Sequence, residues 1–540
     1  MTRLRFSVLL AIISLATCGF GECAIAQTTA GNPQLPAAIQ AVFNKPLYKG
    51  ATWGLRVVTP DGKVLIDYNS QQPLFIGSVR KVFSVGELLN QIGPEHTYDT
   101  PVYRVGTVDS AGVLHGNLVL VASGDLTMGG RTNPNGSIAI TDYDHNEADS
   151  LGNAVLTAPD PLAGYAELAR QVAAAGIKKI SGDVIVDDRL FQPFDFRGQF
   201  KVTPIFVNDD VVDLTINPTT PGSAASISWR PVSAALQVDN KLATSAAGSD
   251  YGVKLEPEFP QCIGTPGCTA AVGGNLPTNF QPMFTGKFPL VQTFRIVNPT
   301  NYARTVLIEK LQAAGVAVDA PPVKQNAAAQ LPVRNSYAFD REVAKLKGMP
   351  YSDYAKFILK VSYNIGADTS LVLFGLANHV DNMTDALAVE KKNLATNYGV
   401  PAGQFTFVDG SGGGDTSATN IAVTQMLTAL SKRPTFTVFR DSLPVLGVDG
   451  SLGFVSEFES DATLAGAKGQ VHAKTGTYAQ GSEKGLMIKG QAFGGYIDTR
   501  GGKHLIYQLV VNNVPVSQLS DLIQIFQDEG TISAILWRDN

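Results

Sequence analysis

The stretch Gly77-Ser78-Val79-Arg80-Lys81-Val82-Phe83 gives the first indication of how this 540-residue chain folds. Apolar residues continue at helical spacing over residues 82–89, and Gly93-Pro94 ends the pattern, so a helix is predicted. Residues three apart share a helix face, so Ser78 and Lys81 place a hydroxyl beside an amine near the helix N-terminus. An isolated match of this kind is most often a surface helix start with a solvated lysine.

Two later strings fit the same chemistry. Ser362-Tyr363-Asn364 lies between predicted helices, and Lys474-Thr475-Gly476-Thr477 follows a predicted strand around Val471. On its own, the string at Ser362 is typical of an ordinary loop without catalytic function. The string at Lys474 is, on its own, typical of a glycine kink in an edge strand. Together with Ser78 and Lys81, in this order, they predict an acyl-serine site that opens amide bonds.

Each residue type has a defined task in such a site. A lysine amine that is desolvated in a cleft can accept a serine proton, which makes Ser78 the predicted nucleophile and Lys81 the predicted base. The Ser362 hydroxyl is predicted to relay a proton to the leaving amine. The Asn364 amide is predicted to bind either a substrate carbonyl or the base itself.

The third string is predicted to bind the substrate backbone. Gly476 leaves room for a peptide against the strand edge, while Lys474 and the hydroxyls of Thr475 and Thr477 can hold a terminal carboxylate. The backbone amides of Ser78 and Thr477 can form an oxyanion hole. The combination favours peptides that end in a free carboxylate.

The organisation of the chain predicts an α+β protein. Residues 53–58 and 64–68 form a predicted hairpin, and late strands near 471 and 505–513 imply one antiparallel sheet assembled from both chain ends. Helices are predicted at 302–314, 352–361, 370–379 and 517–532. Residues 105–300 contain short β-branched runs separated by turns, with one helical stretch at 165–175. We therefore predict a catalytic domain from 27–104 and 301–540, in which helices flank the sheet, with β-rich material inserted at 105–300.

Charge and the N-terminus indicate an exported protein. The net charge is −5 and the pI about 5.8, so the chain has no excess of basic residues that would indicate binding to nucleic acid or to an anionic membrane surface. Arg3 and Arg5, an apolar run at 6–20 and Ala24-Ile25-Ala26 predict a cleavable signal peptide at 1–26 and a periplasmic location without a transmembrane anchor. A lipoprotein signal at Leu15-Ala16-Thr17-Cys18 fits less well, because threonine is a poor neighbour for a lipidated cysteine.

Two cysteines remain after removal of this segment, which carries Cys18 and Cys23. Cys262 and Cys268 flank a short turn containing glycine and proline, and a disulfide between them is predicted. No histidine lies near the pair and the six histidines are scattered, so no zinc site is predicted.

Two further segments carry weaker signals. Residues 142–146 begin like an EF-hand loop, but Glu147 and Asn153 stand where glycine and glutamate are required, so we interpret the segment as a solvated acidic loop. Residues 409–414 are rich in glycine without the spacing of a nucleotide-binding loop, and no Gly-x-Ser-x-Gly string exists in the chain.

The three strings and three further stretches resemble one family. The set is similar to the class C, low-molecular-mass penicillin-binding proteins, the D-alanyl-D-alanine carboxypeptidase/endopeptidase family. The further matching stretches are Gly116-Asn117-Leu118-Val119-Leu120-Val121-Ala122-Ser123-Gly124-Asp125-Leu126-Thr127, Gly182-Asp183-Val184-Ile185-Val186-Asp187-Asp188 and Asp409-Gly410-Ser411-Gly412. Ser78 and Ser362 are 284 positions apart, and the long insertion between them also resembles that family and differs from the compact β-lactamases.

This resemblance implies a specific enzyme. It implies a β-lactamase/transpeptidase-like fold, removal of the terminal D-alanine from peptidoglycan stem peptides, cleavage of cross-links, and acylation by β-lactam antibiotics. It implies no metal and no organic cofactor. The alternatives are a β-lactamase or esterase on the same fold, which rapid release of bound penicillin would favour, and a non-catalytic cell-wall-binding protein, which failure of penicillin to label Ser78 would favour.

Overall fold

The computed structural model describes residues 35–148, 152–482 and 485–540. The predicted signal peptide, with Cys18 and Cys23, lies outside the described residues. In the described part of the chain, no helix has both the length and the apolar character needed to cross a bilayer.

Ten α-helices are described within these ranges. They are α1 (Ala37–Phe43), α2 (Lys81–Ile92), α3 (Ala163–Ala174), α4 (Pro299–Ala313), α5 (Tyr351–Val361), α6 (Asn364–Ala377), α7 (Met383–Asn397), α8 (Asn420–Leu430), α9 (Phe436–Asp441) and α10 (Leu519–Asp539).

The strands of the same ranges number twenty-one. They are β1 (Thr52–Val58), β2 (Val64–Tyr68), β3 (Thr100–Val108), β4 (Val113–Val121), β5 (Lys179–Ile180), β6 (Val184–Asp187), β7 (Phe194–Phe196), β8 (Phe200–Val202), β9 (Val211–Asn217), β10 (Ser226–Arg230), β11 (Gln237–Ser245), β12 (Lys254–Glu256), β13 (Thr269–Pro277), β14 (Leu290–Arg295), β15 (Ala317–Val318), β16 (Glu342–Leu346), β17 (Phe405–Thr406), β18 (Ser417–Ala418), β19 (Val471–Ser482), β20 (Gly485–Asp498) and β21 (His504–Val516).

One antiparallel sheet joins the two chain ends, as predicted. Its order is β19-β20-β21-β1-β2, and Trp53 of β1 pairs with Val511 of β21. Both faces of this sheet are covered. Side chains alternate between the two faces along a strand, so neighbouring residues of β21 pack in different cores. Leu509 and Val511 pack in the core that contains α1 and α10, while Val510 packs in the core that contains α2, α5, α6 and α8. The mixed α+β fold class is confirmed.

Apart from the layers on the two faces of this sheet, a second core is formed by residues that lie between the first and second strings in the sequence. It is built on a sheet of order β15-β5-β4-β3-β16, in which β6 also pairs with β4, and on two three-stranded sheets. Helices α3 and α4 pack in the same core. The predicted Cys262–Cys268 disulfide forms at its edge, with the two Cα atoms 5.2 Å apart.

The boundaries at 104/105 and 300/301 stay a prediction, and we propose moving them. Strand β3 begins at Thr100 and pairs with β16, which ends at Leu346. The helix α4, assigned from sequence to the catalytic domain, packs in the second core. Sheet pairing therefore favours an inserted unit from about residue 100 to about 346.

Candidate active site

The nucleophile string lies where a short turn enters α2. Residues Gly77–Arg80 form one 3₁₀ turn directly before Lys81, the first residue of α2, so Ser78 precedes the regular helix as expected from the sequence. Ser78 is half-buried, whereas Lys81 is fully buried. The Lys81 Nζ lies 2.5 Å from the Ser78 Oγ. The one-turn spacing thus brings the amine into direct contact with the hydroxyl.

The Lys81 amine is held by oxygen acceptors from two other segments. It donates to Asn364 Oδ1 at 2.7 Å and to the Ser411 carbonyl at 3.0 Å, and it lies 3.3 Å from Ser362 Oγ. In its neutral form the amine has two N–H groups, and the Asn364 and Ser411 oxygens can accept a hydrogen bond from each of them. Its lone pair is then available to the Ser78 proton.

The second string connects α5 to α6, as the sequence predicts. Ser362 ends α5 in the left-handed region at φ 65°, a conformation that costs a residue with a Cβ about 1–2 kcal/mol. Its hydroxyl bridges two amines, because Lys474 Nζ donates to it at 2.9 Å. Asn364 is the first residue of α6, so the short turn fixes both side chains relative to Lys81.

The third string lies on β19, the edge strand of the five-stranded sheet. Lys474 is fully buried and Thr475 is 4% exposed, while Thr477 is half-buried at the cleft. The Thr475 hydroxyl lies 2.7 Å from the hydroxyl of Ser451, which the sequence did not single out. The Lys474 amine donates to the Thr475 carbonyl at 2.9 Å, so a cation lies close to the residue that carries one of these hydroxyls, and such groups suit a carboxylate.

Close backbone packing brings the two proposed oxyanion amides together. A Cβ on Gly77 would lie 3.0 Å from the Thr477 nitrogen, and a Cβ on Gly476 would lie 2.9 Å from the Ser78 nitrogen. Glycine is needed at both positions because the two segments approach so closely. The backbone at Gly476 and Thr477 therefore lies against the backbone at Gly77 and Ser78.

The loop at 409–413 is a part of the site whose role sequence reasoning missed. Asp409 accepts hydrogen bonds from the backbone nitrogens of Ser411, Gly412 and Gly413, at 2.7–3.2 Å. This holds the Ser411 carbonyl against Lys81. The signal was present, because Asp409-Gly410-Ser411-Gly412 belongs to the family resemblance.

A second acid, Asp368, is buried behind this loop. Asp368 accepts from the Gly410 nitrogen at 2.9 Å. Burial, with the nearby Asp409 charge, raises the pKa of Asp368 to about 7. Two acids therefore support the loop that contacts the Lys81 amine.

The cleft has a volume of about 470 Å³, and residues of both the catalytic part and the inserted segment line it. Arg197, from the β7–β8 hairpin of the inserted unit, donates to Ser411 Oγ at 3.0 Å. The lining residues are Ser78, Asp142, Tyr143, Asp144, Arg197, Phe284, Val361, Ser362, Asn364, Gly412, Ser451, Phe454, Thr475, Thr477, Tyr478, Ala479, Leu522 and Phe526. The inserted unit thus forms part of the cleft wall.

The interpretation of residues 142–146 as a solvated acidic loop was wrong for its central residues. Asp144 and His145 are 3% and 4% exposed, because Arg131 and Asp209 enclose them in a buried ionic cluster. Only Asp142 is exposed, and it accepts from the Gly450 nitrogen at 2.8 Å. Sequence periodicity carries no information on these partners, since Arg131 lies 13 residues from Asp144 and Asp209 lies 64 residues from His145.

The same cluster offers three ligand atoms of the kind that bind metals. Atoms of Asp144, His145 and Asp209 lie within 4.8 Å of one another. The Arg131 guanidinium donates to both carboxylates and contacts the histidine ring, so it already supplies a cation at this position. The residues therefore fit an arginine-centred ion cluster, and the expectation of no metal stays a prediction.

The fold and the site geometry define a β-lactamase/transpeptidase-like enzyme with a large insertion. The penicillin-binding protein 4 (dacB) structure from Haemophilus influenzae has the same fold, with a TM-score of 0.65 and 17% identity over 93% of this chain and 99% of that one. A second structure of that protein, in complex with a β-lactam, matches with a TM-score of 0.64, 18% identity and the same shares of the two chains.

Sequence comparison then identifies the family. Residues 35–526 match the D-Ala-D-Ala carboxypeptidase 3 (S13) family. A D-alanyl-D-alanine carboxypeptidase from Actinomadura sp. (strain R39) is 24% identical over 474 residues, which cover 82% of this chain and 76% of that protein. The chain belongs to the D-Ala-D-Ala carboxypeptidase 3 (S13) family and is a serine peptidase.

Proposed function

We propose that this peptidase uses Ser78 to remove the terminal D-alanine from peptidoglycan stem peptides. The contact that carries the proposal is the 2.5 Å approach of Lys81 Nζ to Ser78 Oγ. Membership of the carboxypeptidase family supports the reaction. The hydroxyls and the amine around Thr475 support a substrate that ends in a carboxylate.

The reaction begins with the transfer of one proton. Lys81 takes the Ser78 proton as Ser78 Oγ bonds to the carbonyl carbon of the penultimate residue. The amides of Ser78 and Thr477 stabilise the oxyanion.

The proton then moves to the leaving amine. Ser362 lies within reach of both lysine amines, so the proton acquired by Lys81 can pass through its hydroxyl to the terminal residue as the C–N bond breaks. Water attacks the acyl-serine ester in the second half-reaction, returns a proton to Ser78 and releases the shortened peptide as a carboxylic acid.

The same acyl-serine chemistry supports two further activities. Cross-linked stem peptides present the same type of D-alanyl amide, so endopeptidase cleavage belongs to the proposal. β-Lactams also present a strained amide and a carboxylate, and the H. influenzae protein has been solved in complex with a β-lactam. We place the enzyme in the periplasm, on the basis of the predicted signal peptide at 1–26.

The test is hydrolysis of two defined substrates. Purified protein is incubated with a stem pentapeptide and with a cross-linked muropeptide, and the products are identified by mass spectrometry. We expect loss of one D-alanine from the pentapeptide and none with Ser78→Ala. An intact pentapeptide would contradict the carboxypeptidase assignment, and an intact cross-link would remove the endopeptidase part alone.

A further inference from the structure

A row of aromatic rings, called the aromatic wall below, lines the cleft. Tyr143 lies 5.9 Å from Phe284, Phe284 lies 6.1 Å from Phe454, and Phe454 lies 5.1 Å from Phe526, between ring centroids. These spacings are those of aromatic pairs in contact. Two of the rings belong to the inserted unit and two to the catalytic part, so the wall spans the cleft.

The wall is fixed at both ends. Asp142, beside Tyr143, accepts from the Gly450 nitrogen at 2.8 Å, which ties the inserted unit to the segment that carries Ser451 and Phe454. Phe526 packs against Phe493 in the core of α10. Phe284 has φ 60°, and a residue with a Cβ keeps this conformation only where its surroundings hold it.

The position of the wall relates it to one part of the substrate. All four rings line the same cleft as Ser78, Ser451 and Thr475. In the proposed binding mode, the terminal carboxylate lies at Lys474, Thr475 and Ser451. The side chain of that terminal residue branches one bond from the carboxylate, so it is the substrate group that can reach the rings.

We propose that the four rings, Tyr143, Phe284, Phe454 and Phe526, form a pocket for the side chain of the leaving residue, and that the enzyme releases large apolar D-amino acids as well as D-alanine. This inference rests on the proposed carboxypeptidase function and specifies its substrate class. The methyl group of D-alanine covers little of a wall made of four rings. Apolar side chains such as those of D-leucine, D-methionine and D-phenylalanine bury more apolar surface there.

The experiment compares peptides that differ only in the last residue. The series ends in D-Ala-D-Ala, D-Ala-D-Leu and D-Ala-D-Phe, and kcat/KM is measured for each. A second series varies the residue before the scissile bond. We expect kcat/KM for D-leucine release to exceed that for D-alanine release by at least about tenfold, since one well-buried methylene alone contributes roughly that factor.

Variants connect the preference to the wall. In Phe454→Ala and, separately, Phe284→Ala, the ratio of kcat/KM for D-leucine to that for D-alanine should fall about tenfold. Labelled penicillin bound to Ser78 reports whether each variant is folded. Phe339→Ala is the matched control, because Phe339 is 85% exposed, and it should leave both rates unchanged.

Each contrary result has a separate meaning. Release of D-alanine without release of the larger residues would overturn the pocket and leave the proposed function standing. A folded Phe454→Ala variant with an unchanged ratio would also overturn the pocket, as would a preference confined to the residue before the scissile bond. Failure to hydrolyse any peptide would overturn the proposed function itself.

Discussion

At the scale of single residues, the Lys81 amine decides what Ser78 can do. Lys81→Ala should lower the rate of acylation by penicillin by about 10²- to 10⁴-fold, because it removes the group that accepts the serine proton. Stopped-flow fluorescence with a labelled penicillin measures this rate. Lys356→Ala is the control, since Lys356 is exposed on α5. Unchanged acylation in a folded Lys81→Ala protein would exclude Lys81 as the base.

Asp409 should act on the reaction through the loop that it holds. Asp409→Asn replaces a carboxylate that accepts several backbone N–H bonds, so the Ser411 carbonyl loses its fixed position beside Lys81. We expect acylation about tenfold slower at unchanged pH, corresponding to about 1.4 kcal/mol. Asp415→Asn is the matched control, because that side chain is 94% exposed. Equal rates in the two variants would show that the loop has no such role.

The sequence predicts some of these residues and misses others for a physical reason. Ser78 and Lys81 are predictable because a fixed spacing within one helix turn places them together. Ser451 and Arg197 carry no comparable spacing, because each reaches the cleft from a different part of the fold. Their contribution depends on long-range packing.

At the scale of elements, the loop at 141–146 is fixed by the ion cluster beneath it. Burial alone would lower the pKa of His145, but Asp213, Asp209 and Asp144 outweigh it and raise this pKa to about 9. The pKa values of Asp209 and Asp213 are lowered despite burial, by Arg131 and His145 at Asp209 and by His145 and Arg230 at Asp213. Each charge in the cluster therefore stabilises its neighbours.

The protein should therefore become less stable as pH rises above neutrality. The folded pKa of His145 exceeds the unfolded value near 6.5, so its contribution is complete below pH 6.5 and is lost as pH rises through about 9. We expect the free energy of unfolding to fall by on the order of 3 kcal/mol across this range, measured by urea unfolding. Asp209 and Asp213 act in the opposite direction, and their contributions are lost below pH 4.

Two variants test this origin of the pH dependence. His145→Gln should flatten the alkaline decline, while His504→Gln should leave it unchanged, because His504 is exposed beside Asp498. A decline that is equally steep in His145→Gln would mean that other groups titrate in this range.

The start of α6 could not be predicted from the spacing of apolar residues. The sequence predicts a helix at 370–379, yet α6 begins at Asn364. Residues 365–375 are all buried, so polar and apolar faces do not alternate and the first turns carry no helical signal. By contrast, α5 has a clear apolar face, and its predicted bounds agree with the structure to within one residue.

At the scale of the whole molecule, the two ends of the chain form one sheet and the insertion forms a second core. The hairpin β1–β2 and the late strands are predictable from local turns and alternation. The pairing of β3 with β16 is not, because these strands are more than 230 residues apart. For this reason the predicted end of the insertion at 300 differs from the end near 346 that sheet pairing favours.

Hydrogen exchange under increasing denaturant tests this boundary. Amides of β16 should lose protection together with those of β3 and β4, because cooperative units unfold together. Amides of β21 provide the reference for the five-stranded sheet. Loss of β16 protection together with β21 would return the boundary to about residue 300.

The central claim is that three distant segments act on one acyl-serine, and penicillin labelling tests it most directly. The protein is treated with a labelled penicillin, digested, and sequenced by mass spectrometry. The account predicts a single covalent adduct on Ser78, absent from Ser78→Ala. An unlabelled protein, or an adduct on another residue, would contradict it.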